Sequence, residues 1–318
     1  MPSSKRPRKG SLQYWPRKRA EKFLPNINWD AIDYPDAKKN LKGIIAYKAG
    51  MASAYVKDET PDSMTKGKKV IIPVTILECP PMKILSVRFY KNGIVYSEIL
   101  NENLDKELRR KLKLPKSKPK KLEEIKGEDY DDLRVITYSV VKKSGLKKTP
   151  DLCEMGLSGT KEEKLNYIKE NLNKEISPLE IFEKGQLIDV RGLTKGKGLV
   201  GPVKRYGLTL KAHKSEKGVR RPGSLGPWHP ARVTYMAPLA GQMGMFTRAV
   251  YNNKIINLGK AEDLTALKNI KNYGNINTNY ILVCGSVQGA AKRQLILTRP
   301  LRTTKKQLKK NYELIELR

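Results

Sequence analysis

RGLTKGKGLVGPVKRYGLTLKAHKSEKGVRRPGSLGPWHPAR, residues Arg191 to Arg232, carries eleven Lys or Arg, one acid (Glu216), eight Gly and four Pro. Its apolar residues do not recur at helical or strand period, so it has no face with which to build a core. Charges at that density repel one another and little apolar surface opposes them, so a polyanion is the partner that would order the segment. The glycines let a backbone pass close to phosphates and the prolines stiffen its path. Tyr206 and Trp228 stand as isolated aromatics with flat faces to stack on bases. A disordered basic linker is the competing reading. The flanks argue against it. QLIDV (186–190) is a short β-type run, and MFTRAVYNNKIINL (245–258) reads as two β-type runs around a hairpin at Asn252-Asn253. A long basic loop thus leaves a sheet and returns to it.

The same bias runs through the 318 residues, where 64 Lys and Arg face 32 Asp and Glu for a formal charge of +32. That excess implies acidic partners, and its spread over separate segments favours nucleic acid over a membrane surface, for which no amphipathic basic helix stands out. The longest apolar run, Val70 to Leu77, is broken by Pro73 and Thr75 and is far too short to span a bilayer. The start, MPSSKRPRKG, lacks the apolar stretch of a secretory signal. Cys79, Cys153 and Cys284 are odd in number and far apart, which suggests neither a disulfide framework nor a zinc site but free thiols in a reducing cytosol.

Residues 1–40 read as a basic N-terminal extension. Met1 to Lys22 holds eight Lys or Arg against Glu21 alone, with Tyr14 and Trp15 set among them, a pattern that fits an RNA-embedded arm better than a nuclear-localisation patch. From Leu41 the character turns to β. GIIAYKAGMASAYVKD (43–58) reads as strand, Lys-Ala-Gly turn, strand; KVIIPVTILEC (69–79) and KILSVRFYKNGIVYSEIL (83–100) follow, the latter folded at Asn92-Gly93. An antiparallel sheet or small barrel begins here, with residues 41–100 as its first part.

Residues 101–184 read as an inserted α/β module. Seventeen acids meet 20 bases there, so it is nearly neutral while the remainder is strongly positive, and it should face solvent or a protein neighbour. DKELRRKL (105–112) and EEKLNYIKENL (162–172) are helical, the second with Leu165, Ile168 and Leu172 on one face; LRVITYSVV (133–141) is a strand; LPKSKPKK (114–121) is a linker. Ser177-Pro-Leu-Glu180 is a capping box that starts a short helix. Residues 185–190 return to the β domain, 191–244 form the basic loop, and 245–301 complete the domain with NYILVCGSV (279–287) and RQLILTRPL (293–301), leaving 302–318 as a basic C-terminal tail.

Catalytic motifs fail on context. Gly196-x-Gly198-x-x-Gly201 matches a dinucleotide fingerprint, yet Pro202 and Gly207 interrupt the helix that should follow and no βαβ alternation surrounds it. No Walker sequence is present, and His213 and His229 have no acid or Cys at triad or ligand spacing. The chain reads as no enzyme, with no cofactor and no metal. An RNA-modifying enzyme would need such a constellation, and a DNA-compacting protein would be short and uniformly basic.

SLQYWPRKRA (11–20), IAYKAGM (45–51), VTILECPPM (74–82), IDVRGLTKGKG (188–198), PGSLGPWHPARV (222–233) and AGQMG (240–244) occur in an order that resembles the ribosomal protein L3 family of the large subunit, in its archaeal and eukaryotic form, over nearly the whole chain. The resemblance implies a mainly β fold: a six-stranded translation-factor-type β-barrel, an α/β insertion and long basic extensions threaded through large-subunit (23S-type) rRNA. It implies an early role in subunit assembly, a central loop reaching towards the peptidyl-transferase centre with Trp228 and His229 at its tip, and neighbours among large-subunit proteins such as L14, in the cytoplasm, with no homo-oligomer. Tyr206 stands where the eukaryotic pattern leads one to expect Trp. Joined to the charge reading, the resemblance gives the rRNA-binding candidates. In the arm they are Lys5, Arg6, Arg8, Lys9, Trp15, Arg17, Lys18 and Arg19; in the loop Lys195, Lys197, Lys204, Arg205, Tyr206, Lys211, His213, Lys214, Lys217, Arg220, Arg221, Trp228, His229 and Arg232; and on the returning strand Arg248.

Overall fold

The computed structural model describes residues 13–32, 41–115, 130–212, 214, 217–263 and 268–318. The fold is mainly β. Strands β1 (Gly43–Asp58), β2 (Lys69–Cys79), β3 (Met82–Lys91), β4 (Ile94–Leu100), β5 (Asp132–Ser139) and β6 (Leu152–Gly156) make up the first half, with a 3-10 turn at Lys106–Arg110 and helix α1 (Val141–Ser144) between them. Helices α2 (Lys161–Asn171) and α3 (Pro178–Ile181) lead to β7 (Leu187–Leu193), β8 (Leu199–Val200), α4 (Pro202–Tyr206) and β9 (Gly241–Gln242). The chain then forms β10 (Thr247–Lys260), β11 (Asn279–Cys284), β12 (Gln294–Thr298), α5 (Lys305–Lys309) and β13 (Tyr312–Leu317).

Seven strands form one sheet in the order β12-β7-β10-β11-β2-β1-β13, and β12 pairs with β1 as well, so the run of pairings returns on itself. Strand β1 makes this possible by its length. Gly43–Tyr47 lies against β12, Tyr47–Lys57 against β2, and Ala54–Asp58 against β13. The expected Lys-Ala-Gly turn is absent: the ladder to β2 only shifts register between Lys48 and Gly50, a bulge that bends the strand without reversing it. The hairpin expected at Asn252-Asn253 is likewise absent: both residues lie inside β10, which is a single strand from Thr247 to Lys260. A two-residue hairpin of this type requires positive φ at both central residues. Asn92 and Gly93 have it (51° and 75°) and join β3 to β4, whereas at the second site Asn252 alone does (57°). Its N–H donates to Asp189 Oδ1 at 2.9 Å, and the strand runs on.

A second sheet has the order β4-β3-β5-β6. Met82–Tyr90 pairs with β5, so β3 and β4 belong with the inserted module, and the change of sheet falls at Pro80-Pro81 and not after Leu100. Ile168 of α2 is buried, with Leu165 and Leu172 packed beside it as the periodicity required. The Thr160 N–H donates to Glu163 Oε2 at 2.9 Å, a capping interaction at the start of α2 that sequence reading passed over. Ser177 caps α3 by accepting from the Leu179 N–H.

Two expected extensions are shorter than the sequence implied. Residues 24–32 join the core: Trp29 and Ile32 are buried, Leu24 and Ile27 pack against it, and a Cβ on Gly156 would lie 2.8 Å from that of Trp29. The C-terminal tail ends in β13, whose YELIEL supplies the strand that its many lysine neighbours masked. Cys79 is buried, Cys153 and Cys284 half-buried, and all are free thiols.

Candidate nucleic-acid interface

Chain segments far apart in sequence build one compact unit from residues 1–23 and 193–248, within which residues 1–12, 213, 215 and 216 lie outside the described set. Strands β7 and β10, neighbours in the large sheet, deliver and recover the loop. Its two limbs run side by side as a ribbon. The Thr194 N–H donates to Phe246 O (3.0 Å), Lys197 N–H to Met243 O (2.9 Å) and Met243 N–H to Gly198 O (2.9 Å), continuing into the β8–β9 pair. Gly244 permits that closeness: its φ is +78°, and a Cβ there would sit 2.0 Å from the Lys195 carbonyl oxygen. After Gly201, the helix that would complete a dinucleotide site is the five-residue α4, ended by Gly207 at φ 67°.

Arg205, on α4, holds the unit together. Its Nε donates to Gln242 O (3.1 Å), Nη1 to Leu239 O (3.1 Å) and Nη2 to Arg17 O (3.4 Å), so one planar fork satisfies carbonyls from three places in the chain. Arg17 returns the contact, donating from Nη1 to Arg205 O at 2.9 Å, and its guanidinium lies 4.5 Å from the centre of the Tyr206 ring. Trp15 packs on Tyr206 at 5.9 Å and on Tyr235 at 6.4 Å, and the Ala20 N–H donates to Met245 O at 2.9 Å. The sequence treats Tyr206 as an isolated stacking platform. It is buried instead, only 3% exposed, with its hydroxyl making no hydrogen bond among the described residues. Arg17, Arg205, Trp15 and Tyr206 therefore form a clasp between arm and loop. Tyr235 and the Gly241–Gly244 turn complete it, and nothing in hydrophobic period could have announced them.

The remaining candidates point outward. Lys18, Arg19, Lys195, Lys197, Lys204, Lys214, Lys217, Arg220, Arg221, Arg232 and Arg248 are exposed, and Lys211 is half-buried. Arg248 lies 5.4 Å from the Phe246 ring centre. Trp228 is 85% exposed, beside an exposed His229. Lys5, Arg6, Arg8, Lys9 and His213 lie outside the described residues. The unit as a whole holds nineteen Lys or Arg against Glu21 and Glu216, so its net charge is strongly positive. Among the described residues no cluster of His, Cys, Asp and Glu could hold a metal ion, and no helix is long and apolar enough to cross a membrane.

The family model for ribosomal protein L3 matches residues 1–318. This chain belongs to the ribosomal protein L3 family. Among its curated relatives, the large ribosomal subunit protein uL3 of Methanocaldococcus jannaschii is 41% identical over 312 residues, covering 93% of this chain and 92% of that protein. The protein of the same name from Archaeoglobus fulgidus is 41% identical over 312 residues, covering 94% and 93%, and that from Methanobrevibacter smithii 39% over 317 residues, covering 94% and 93%. The L3 family is one of ribosomal proteins and not of enzymes, which agrees with a site made of cations, glycines and aromatics.

Proposed function

We propose that this chain is a structural constituent of the large ribosomal subunit that binds 23S-type rRNA, supports early subunit assembly and extends its central loop towards the peptidyl-transferase centre. One observation carries this reading: a unit with nineteen cations and two acids, its arm and loop clasped to each other, in which the Trp228 indole is almost fully exposed. A strongly positive unit binds a polyanion by releasing its counterions, and an exposed Trp adds a stacking face. The outward cations, with Lys5, Arg6, Arg8, Lys9 and His213, would lie on phosphate, and Trp228 and His229 would form the tip. Arg17, Arg205, Trp15 and Tyr206 would set the shape that meets the RNA. The ring of pairings through β1, β2, β11, β10, β7 and β12 fits the six-stranded translation-factor-type barrel that the family resemblance implies. The nearly neutral module would face solvent or protein neighbours such as L14. The place of action is the cytoplasmic ribosome.

The test is sedimentation of native extracts on high-salt gradients. The protein is expected to stay with large subunits and to protect rRNA from hydroxyl radicals along a path that shrinks when residues 191–244 are deleted. Release as free protein at the salt that leaves other large-subunit proteins bound would refute the reading.

A further inference from the structure

The stretch RPLRTTKKQLKKNY, from Arg299 to Tyr312, contains six Lys or Arg and no acid, and it belongs to the sheet-bearing unit, not to the loop. It is held in place by buried polar groups. Asp189 of β7, fully buried, accepts from the Leu301 N–H at 2.9 Å through the carboxylate that also holds Asn252. Lys254 of β10, 6% exposed, donates from Nζ to Gln307 O (3.3 Å), Leu308 O (3.1 Å) and Lys310 O, carbonyls that the end of α5 leaves without helical partners. Beyond the helix, the Asn311 N–H donates to Thr60 Oγ1 at 3.0 Å, and Asn311 O accepts from the Glu59 N–H at 2.9 Å.

This restraint opposes the local electrostatics. Lys305 and Lys309, and Lys306 and Lys310, are like-charged pairs four residues apart, which weaken a helix, and five residues are too few to be helical alone. Burial, and then the neighbouring Lys310 charge, draw the Lys254 ammonium below its usual pKa. Arg302, Lys305, Lys306 and Lys309 remain exposed, and none has a carboxylate at ion-pair distance among the described residues. A fixed cluster of one sign is relieved when a polyanion neutralises it. The one aromatic within the stretch, Tyr312, is half-buried, so these cations offer charge without a stacking face of their own.

We propose that the turn from Arg302 to Lys309 is a second RNA contact, separate from the loop, that grips the phosphate backbone without reading bases. This rests on the proposed RNA-binding function. The test uses full-length chain, large-subunit rRNA and an unrelated RNA duplex, with affinity measured against salt concentration. The variant Arg302→Gln/Lys305→Gln/Lys306→Gln/Lys309→Gln is compared with the loop variant Lys217→Gln/Arg220→Gln/Arg221→Gln. The first is expected to flatten the slope of log K against log salt by about 3, at roughly 0.7 to 0.9 per phosphate contact, and by the same amount on both RNAs. Its melting temperature is expected to hold or rise, since repulsion is removed, and the two sets of changes are expected to add. An unchanged slope in the first variant, with a reduced one in the loop variant, overturns the second contact and assigns this surface to an acidic protein neighbour. Binding of the parent chain without salt dependence overturns the RNA-binding function itself.

Discussion

Arg17 donates to the carbonyl oxygen of Arg205 at 2.9 Å, joining positions 188 residues apart, and Arg205 donates back to the Arg17 carbonyl at 3.4 Å. Two cations that composition alone would assign to phosphate instead bond each other's main chains. Their mutual repulsion is offset by carbonyl dipoles and by the Tyr206 face. Residues 13–23 of the arm and the described part of the loop are in this way joined to each other.

Arg205→Ala is expected to free the arm. It removes donors to three carbonyls, each hydrogen bond from a charged group being worth about 1.5–3 kcal/mol. Amide exchange at Ala20, whose N–H is bonded to Met245 O, should accelerate at least tenfold. Arg205→Lys keeps the charge but cannot span three acceptors, so it should exchange almost as fast. Protection restored by Lys would mean that charge, not the fork, holds the arm.

Gly244→Ala is expected to open the ribbon, because the added Cβ meets the Lys195 carbonyl and φ lies in the left-handed region. A strained site of this kind costs about 1–3 kcal/mol before the clash is counted. Loss of protection at the amides of Lys197 and Met243, with the strands of the large sheet still protected, is the expected pattern. Gly201→Ala, where a Cβ meets nothing within 4 Å, is the control that should change neither.

The loop after β1 should carry an acid-dependent share of stability. Hydrogen bonds from Thr60 and Thr65, with Ser63 contributing, lower the Asp58 carboxyl to about 2 from the usual 3.8. A carboxylate with a depressed folded pKa stabilises fully above its unfolded value and loses that contribution as pH falls through the folded one. Parent and Asp58→Asn should therefore differ in melting temperature at pH 6 and converge between pH 4 and pH 2. A difference that stays constant over that window would remove Asp58 as its source.

Trp228→Ala is expected to leave assembly nearly intact and to change function. Stacking is worth roughly 1–3 kcal/mol per base, too little to decide whether a protein with this many cations binds. Ribosomes carrying the variant should have normal occupancy of the protein and altered aminoacyl-tRNA entry, peptide-bond formation or sensitivity to peptidyl-transferase drugs. Wild-type behaviour in all three would make the exposed indole at 228 dispensable.

Much of the molecule follows from local rules. The Asn92-Gly93 hairpin, the buried stripe of α2, the cap of α3 and the polyanion-seeking loop depend on residues within a few positions of one another, or on charge counts that no fold can alter. Motifs at ordered spacing were enough to indicate the family. Other features required the tertiary structure. Asn252-Asn253 stays within β10 instead of turning because Asp189, 63 positions away, takes the Asn252 N–H. Lys48-Ala-Gly50 stays extended because β2 and β12 both need β1. YELIEL became a strand only when β1 offered it an edge. Arg205 and Tyr206 look in sequence like any cation and aromatic of a basic loop, and their inward positions depend on a partner at Arg17 that no window of sequence contains. Charge and short-range pattern determined the excess of cations and where the chain turns easily; which of those cations stay exposed and which are drawn into the clasp was decided by contacts across nearly two hundred residues.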